Sequence, residues 1–124
     1  MKLHCSYENT CGSCLGFAKT YEETLLVKQA YVQKLFPGKK VEPVIGMENP
    51  VHYRHKVYAS FGYNKKGRLS AGMYEENSHD LVFAPNCMIQ NETANHVISS
   101  LINIARKHHL EPYDLDSGKM PCSR

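Results

Sequence analysis

The segment CSYENTCGSC, residues 5–14, places three of the chain's five cysteines within ten residues. Its remaining residues are too polar and too small to bury a core, so something other than apolar packing must hold it. A disulfide framework needs an even number of thiols, and a tetrahedral metal site needs four sulfurs or three and a histidine. The N-terminus MKLHCSYENT has no apolar stretch of the kind that directs secretion, so a cytoplasmic location is expected. Thiols stay reduced there, which favours metal or redox chemistry over disulfides.

Cys5, Cys11 and Cys14 are separated by five and then two residues. The two-residue gap lets both sulfurs of Cys11 and Cys14 face one centre. Gly12 eases the turn and leaves backbone N–H groups to point at sulfur. The fourth ligand must come from far along the chain. Cys87 is the first choice, in a loop behind a strand and beside Pro85 and Asn86; Cys122 is the other. His4, His55 and His79 are further candidates for a fourth zinc ligand, although each reads more simply as an exposed or hydrogen-bonded histidine. Spacing leaves zinc and a [4Fe–4S] cluster both open, and free thiols are the plain alternative.

The chain of 124 residues suits one domain, and its 42% hydrophobic and 22% charged residues are those of an ordinary globular protein. No apolar run approaches the ~20 residues of a membrane span. The net charge of +3 permits an RNA partner without demanding one.

Residues 17–36 have helical periodicity through Phe17, Tyr21, Leu25, Leu26, Ala30, Tyr31 and Leu35, with Thr20 as a possible cap and Pro37-Gly38 as the stop. Residues 52–63 alternate, with Val57, Ala59, Phe61 and Tyr63 on one face. A turn at 64–67 returns the chain through 68–75, and 81–83 adds a third short strand. Asn91 reads as the cap of a second helix with a stripe of Ala94, Val97, Ile98, Leu101, Ile102 and Ala105. The fold class is therefore α+β: an antiparallel sheet of three or more strands, two flanking helices and an N-terminal cysteine loop. Residues 1–16 form the cysteine loop, 17–118 the α+β domain, and 119–124 a tail expected to be disordered.

Several of these stretches together resemble the RNA uracil-C5 methyltransferases, the S-adenosylmethionine-dependent enzymes that make 5-methyluridine in ribosomal RNA. The residues that carry the resemblance are Cys5, Cys11-Gly12-Ser13-Cys14, Tyr21 with Lys28-Gln29, Tyr53-Arg54-His55-Lys56-Val57, Gly72-Met73-Tyr74 with Ser78-His79, and Asn86-Cys87. The family pattern is roughly C-x5-C-G-G-C, Q-L-x-x-K-Q, Y-R-N-K, G-F-Y-x-x-x-S-H and C-x-I, and the match runs over about residues 5–118. It implies that Cys5, Cys11, Cys14 and Cys87 hold a [4Fe–4S] cluster. It also implies that Arg54, Lys56 and Tyr53 belong to a segment that contacts ribosomal RNA.

The sequence departs from the pattern at Ser13, at 15–18 and at His55. No RNA-binding barrel precedes Cys5. After Asp116-Ser117-Gly118-Lys119 it leaves the family pattern altogether, and no glycine-rich S-adenosylmethionine loop follows a strand. The family's nucleophile and base lie in a methyltransferase domain that this sequence lacks. The expectation is a truncated or frameshifted reading frame, inactive alone, with no catalytic and no S-adenosylmethionine-binding residues. The methyltransferase domain, if present as a separate chain, would be a partner. The rival readings are a stand-alone zinc-binding RNA adaptor, and a non-functional remnant with apolar surface exposed.

Overall fold

A hairpin forms where Asn64 caps its own turn. The side-chain oxygen of Asn64 accepts from the N–H groups of Lys66 and Arg68, each at 3.0 Å. Gly67 closes that turn at φ +68°, a conformation glycine adopts without strain. The turn sets β1 (Ser60–Tyr63) against β2 (Leu69–Tyr74), antiparallel from Ser60↔Gly72 to Tyr63↔Leu69. A second turn, held by Ser78 and Asp80, brings β3 (Leu81–Val82) against the other edge of β2. The sheet order is β1-β2-β3. The structure, a computed structural model, describes residues 2–14, 19–114, 117 and 118.

Two helices complete the α+β fold: α1 (Tyr21–Leu35) before the sheet and α2 (Glu92–Lys107) after it. They differ in what holds them. α2 lays Ile102, 1% exposed, and Ala105 on Leu69 and Ala71 of β2, with Ile98 and Phe83 around them. Its Arg106 Nε donates to Leu69 O at 2.8 Å. Asn91 caps it, accepting from the N–H groups of Thr93 and Ala94. α1 begins with a reciprocal cap in which Thr20 and Glu23 satisfy each other's backbone N–H groups. None of its residues is buried, and Leu26 and Tyr31 are 69% and 63% exposed. Its tethers are local: Gln29 Nε2 to Val41 O at 3.0 Å, and Met47 N–H to the Tyr21 hydroxyl at 2.7 Å.

The two caps therefore have different consequences. Asn91→Ala should lower global stability by about 1 kcal/mol, because α2 carries the core. Thr20→Ala should fray α1 and leave the main unfolding transition nearly in place. Circular dichroism during urea unfolding separates the two; equal effects on the main transition would contradict this division.

The expected long strand over 52–63 is shorter. Only Ser60–Tyr63 is strand, and 52–54 pair elsewhere. His52 N–H donates to Met88 O, Arg54 N–H to Ile89 O, and Asn91 N–H to Arg54 O. These bonds form a parallel bridge between Arg54 and Gln90. Within β1 the alternation expected from the sequence holds. Ser60 and Gly62 face inward, while Phe61 and Tyr63 stand 38% and 54% exposed. Leu81 is the reason: its side chain lies where a Cβ on Gly62 would stand, 2.9 Å away. The first helix starts at Tyr21, behind Thr20. Phe17 and Ala18, expected within this helix, lie with Leu15 and Gly16 outside the described residues, as do 119–124 with Cys122.

Candidate metal centre

The cysteine loop is built from turns and then stitched to the sheet. Glu8 N–H donates to Cys5 O at 3.2 Å and Cys11 N–H to Tyr7 O at 2.8 Å. Cys11 forms an antiparallel bridge with Glu75, just past the end of β2. Gly12 N–H donates to Tyr74 O at 3.3 Å, so it is engaged with the sheet and not aimed at sulfur. Glycine suits this place because of the close approach: a Cβ would sit 3.3 Å from the backbone of Glu76.

Cys87 arrives from the other side. It follows β3, with its N–H donating to Ala84 O at 3.2 Å. Asn95 of α2 donates from Nδ2 to Cys87 O at 2.9 Å, which ties this turn to the helix. Asn95 is buried for that reason, on a helix face where the sequence suggested only apolar residues. Gly72 on β2 lets β3 and the turn behind it come close: a Cβ there would lie 2.0 Å from Val82 O.

These two placements bring Cys5, Cys11, Cys14 and Cys87 to the wall of one cavity. All four are half-buried free thiols. The cavity measures about 40 Å³, above the ~10–15 Å³ that a single water needs. Ala71, Gly72, Val82 and Phe83 give it an apolar side, and no histidine lines it. Burial first, then the neighbouring thiols of Cys87 and Cys11, push the Cys14 thiol up; Arg54 opposes them, and Cys5 adds a smaller upward push. Each cysteine of the expected set thus acts on Cys14. Two buried acceptors on the same wall, Glu8 Oε2 and Asn95 Oδ1, have no hydrogen-bond partner among the described residues. Among the described residues, no three His, Cys, Asp or Glu side chains converge on the position of one ion.

The expected RNA-contacting residues divide. Tyr53 is 45% exposed, and Lys56 is exposed with its Nζ 5.5 Å from the centre of the Tyr58 ring. Arg54 is half-buried and donates from Nη1 to Ser13 Oγ at 2.8 Å. It faces the cysteine loop. His4 lies 4.0 Å from Glu8, His55 contacts Asn91, and His79 packs edge-on to Tyr74. Sequence reasoning missed Asn95, Glu8 and the Ser13–Arg54 bond, since a polar residue on an apolar helix face was the only signal available.

Among the described residues, no helix is long and apolar enough to cross a membrane. No protein-family model matches the chain. It is similar to an uncharacterized RNA methyltransferase of Listeria innocua, 33% identical over 120 residues that cover 93% of this chain and 26% of the relative. A second such protein, from Halalkalibacterium halodurans, is 36% identical over 116 residues, 89% of this chain and 25% of the relative. A third, from Bacillus cereus, is 32% identical over 135 residues, 96% of this chain and 29% of the relative. Nearly the whole chain is therefore related to a stretch that makes up about a quarter of proteins named RNA methyltransferases.

Proposed function

We propose that this chain is the iron–sulfur-binding, RNA-contacting part of an RNA uracil-C5 methyltransferase that acts on ribosomal RNA. The observation that carries the reading is the meeting of four cysteines, three from one end of the chain and one from the middle, around a single cavity. Four thiolates suit zinc or an iron–sulfur cluster. A lone zinc needs all its sulfurs at about 2.3 Å from one point. Spacing leaves the two open, and the resemblance of the cysteine pattern to the uracil-C5 methyltransferases favours the cluster. Cys5, Cys11, Cys14 and Cys87 would hold the cluster.

The bound group would tie a loop with no apolar core to the far side of the sheet. Its role is structural in this reading. Apolar walls from β2 and β3 keep water from that side, and Asn95 fixes the backbone at Cys87. In the family that this sequence resembles, methyl transfer belongs to a separate domain, so these residues alone are expected to transfer no methyl group. Tyr53 and Lys56 are the exposed groups offered to RNA, a ring for stacking on an unpaired base and an ammonium for a phosphate.

The RNA half of this reading is tested by binding to a uridine-containing ribosomal RNA hairpin over a range of salt. Tyr53→Ala should weaken binding by about 1–3 kcal/mol, the scale of one base stacked on an aromatic ring. Lys56→Ala should flatten the salt dependence by about one phosphate contact. Binding that neither substitution alters would remove this segment from the interface.

A further inference from the structure

We infer that Arg54 is a positioning residue of the cysteine centre: it links the two chain segments that supply the thiols and sets a fixed positive charge beside them. The inference rests on the cluster reading above and deepens it.

The backbone of Arg54 is bonded in both directions to the segment just after Cys87. Its N–H donates to Ile89 O at 2.8 Å, and its carbonyl accepts from Asn91 N–H at 2.9 Å. Its side chain reaches the opposite segment, where Nη1 donates to Ser13 Oγ at 2.8 Å, between Cys11 and Cys14. One residue therefore bridges the loop with three cysteines and the segment that carries the fourth. The bond is half-buried, where a charged donor contributes more than it would in water.

The charge matters as well as the reach. Four thiolates gathered at one cavity repel one another, and Glu8 adds a buried carboxylate oxygen to the same wall. A guanidinium behind Ser13 offsets this negative charge without becoming a ligand. Positive charge near an iron–sulfur group also favours its reduced, more negative state, because net charge and hydrogen bonding set such potentials. Ser13 gives Arg54 an anchor that the glycine of the resembling pattern could not.

The test uses the full chain, reconstituted without oxygen from ferrous iron and sulfide, as wild type, Arg54→Lys, Arg54→Met and Ser13→Ala. Iron loss to a chelator, the reduction potential of the loaded protein and the thermal unfolding of the metal-free protein are read for each. Arg54→Met should lose iron roughly 10–100-fold faster, the usual effect of removing a partner just outside the ligands, and its potential should fall. Ser13→Ala should speed iron loss while leaving the potential near that of wild type. Arg54→Lys should keep the potential and only part of the retention. A loaded wild type whose iron loss and potential are unchanged in Arg54→Met, or in the two milder variants should Arg54→Met not fold, would overturn the inference alone. A wild type that takes up no iron and sulfide would overturn the cluster reading, and this inference with it.

Discussion

Gly72→Ala is expected to leave the chain largely unfolded. A Cβ at position 72 would stand 2.0 Å from Val82 O and 2.8 Å from Val82 C, both backbone atoms of the neighbouring strand. No side-chain rotation relieves such a clash, so β3 must leave β2. The core between Ala71, Leu69 and α2 is small, and Phe83 closes one side of it. Moving β3 therefore opens the core and carries away the turn that holds Cys87. The loss should exceed about 4 kcal/mol, a large part of the ~5–15 kcal/mol that stabilises a typical domain. Urea unfolding of the metal-free protein measures it. Gly12→Ala is the comparison: its Cβ would meet Glu76 at 3.3 Å, a distance the loop can absorb by a small shift. Gly12→Ala should stay folded. An alanine at 72 that unfolds at the wild-type urea concentration would show that β3 is not packed as described.

Cys87→Ala is expected to abolish retention of the bound group while the apo domain stays folded. Cys87 is half-buried and takes no part in the core around Ile102, so removing its sulfur costs the sheet little. It is, however, the sole expected ligand that ties the sheet side of the cavity to the N-terminal loop. Without it the three remaining thiols belong to one loop, and the long closure between residues 14 and 87 is lost. Iron content after gel filtration without oxygen reads the effect. Cys122→Ala should retain iron like wild type. Equal loss in both variants, or in neither, would remove Cys87 from the ligand set.

Sequence pattern revealed the sheet and α2 because each writes its environment locally. Asn64 and Gly67 mark the hairpin turn, Asn91 marks the cap, and Ile102 and Ala105 fall on the face that is buried. The limits have physical causes too. Val97 and Leu101 share the apolar stripe of α2 yet are 50% and 48% exposed, because three short strands cannot cover the whole face. α1 has the periodicity of a packed helix and no sheet beneath it; side-chain hydrogen bonds of Gln29, Gln33 and Tyr21 tie it to the chain that follows. On β1, alternation carried the strand too far back, over 52–63 where only Ser60–Tyr63 is strand, and it left open which face is buried; Gly62 turns inward because its bare side makes room for Leu81. Spacing named the cysteines, but it could not show that Gly72 is what lets Cys87 come near the loop. The Arg54–Ser13 bond was hidden for another reason. It joins residues 41 apart in sequence, and a basic residue in an alternating segment reads first as a surface charge.

The measurement that tests the central claim most directly is the iron, sulfide and zinc content of the chain purified without oxygen, read with its visible absorption spectrum. The account predicts a brown protein with about four irons and four sulfides per chain, bleached on exposure to a strong chelator. One zinc per chain and no colour would contradict the cluster and favour a zinc-held module. Folded protein with no metal after reconstitution would contradict the claim that these four thiols form a metal centre.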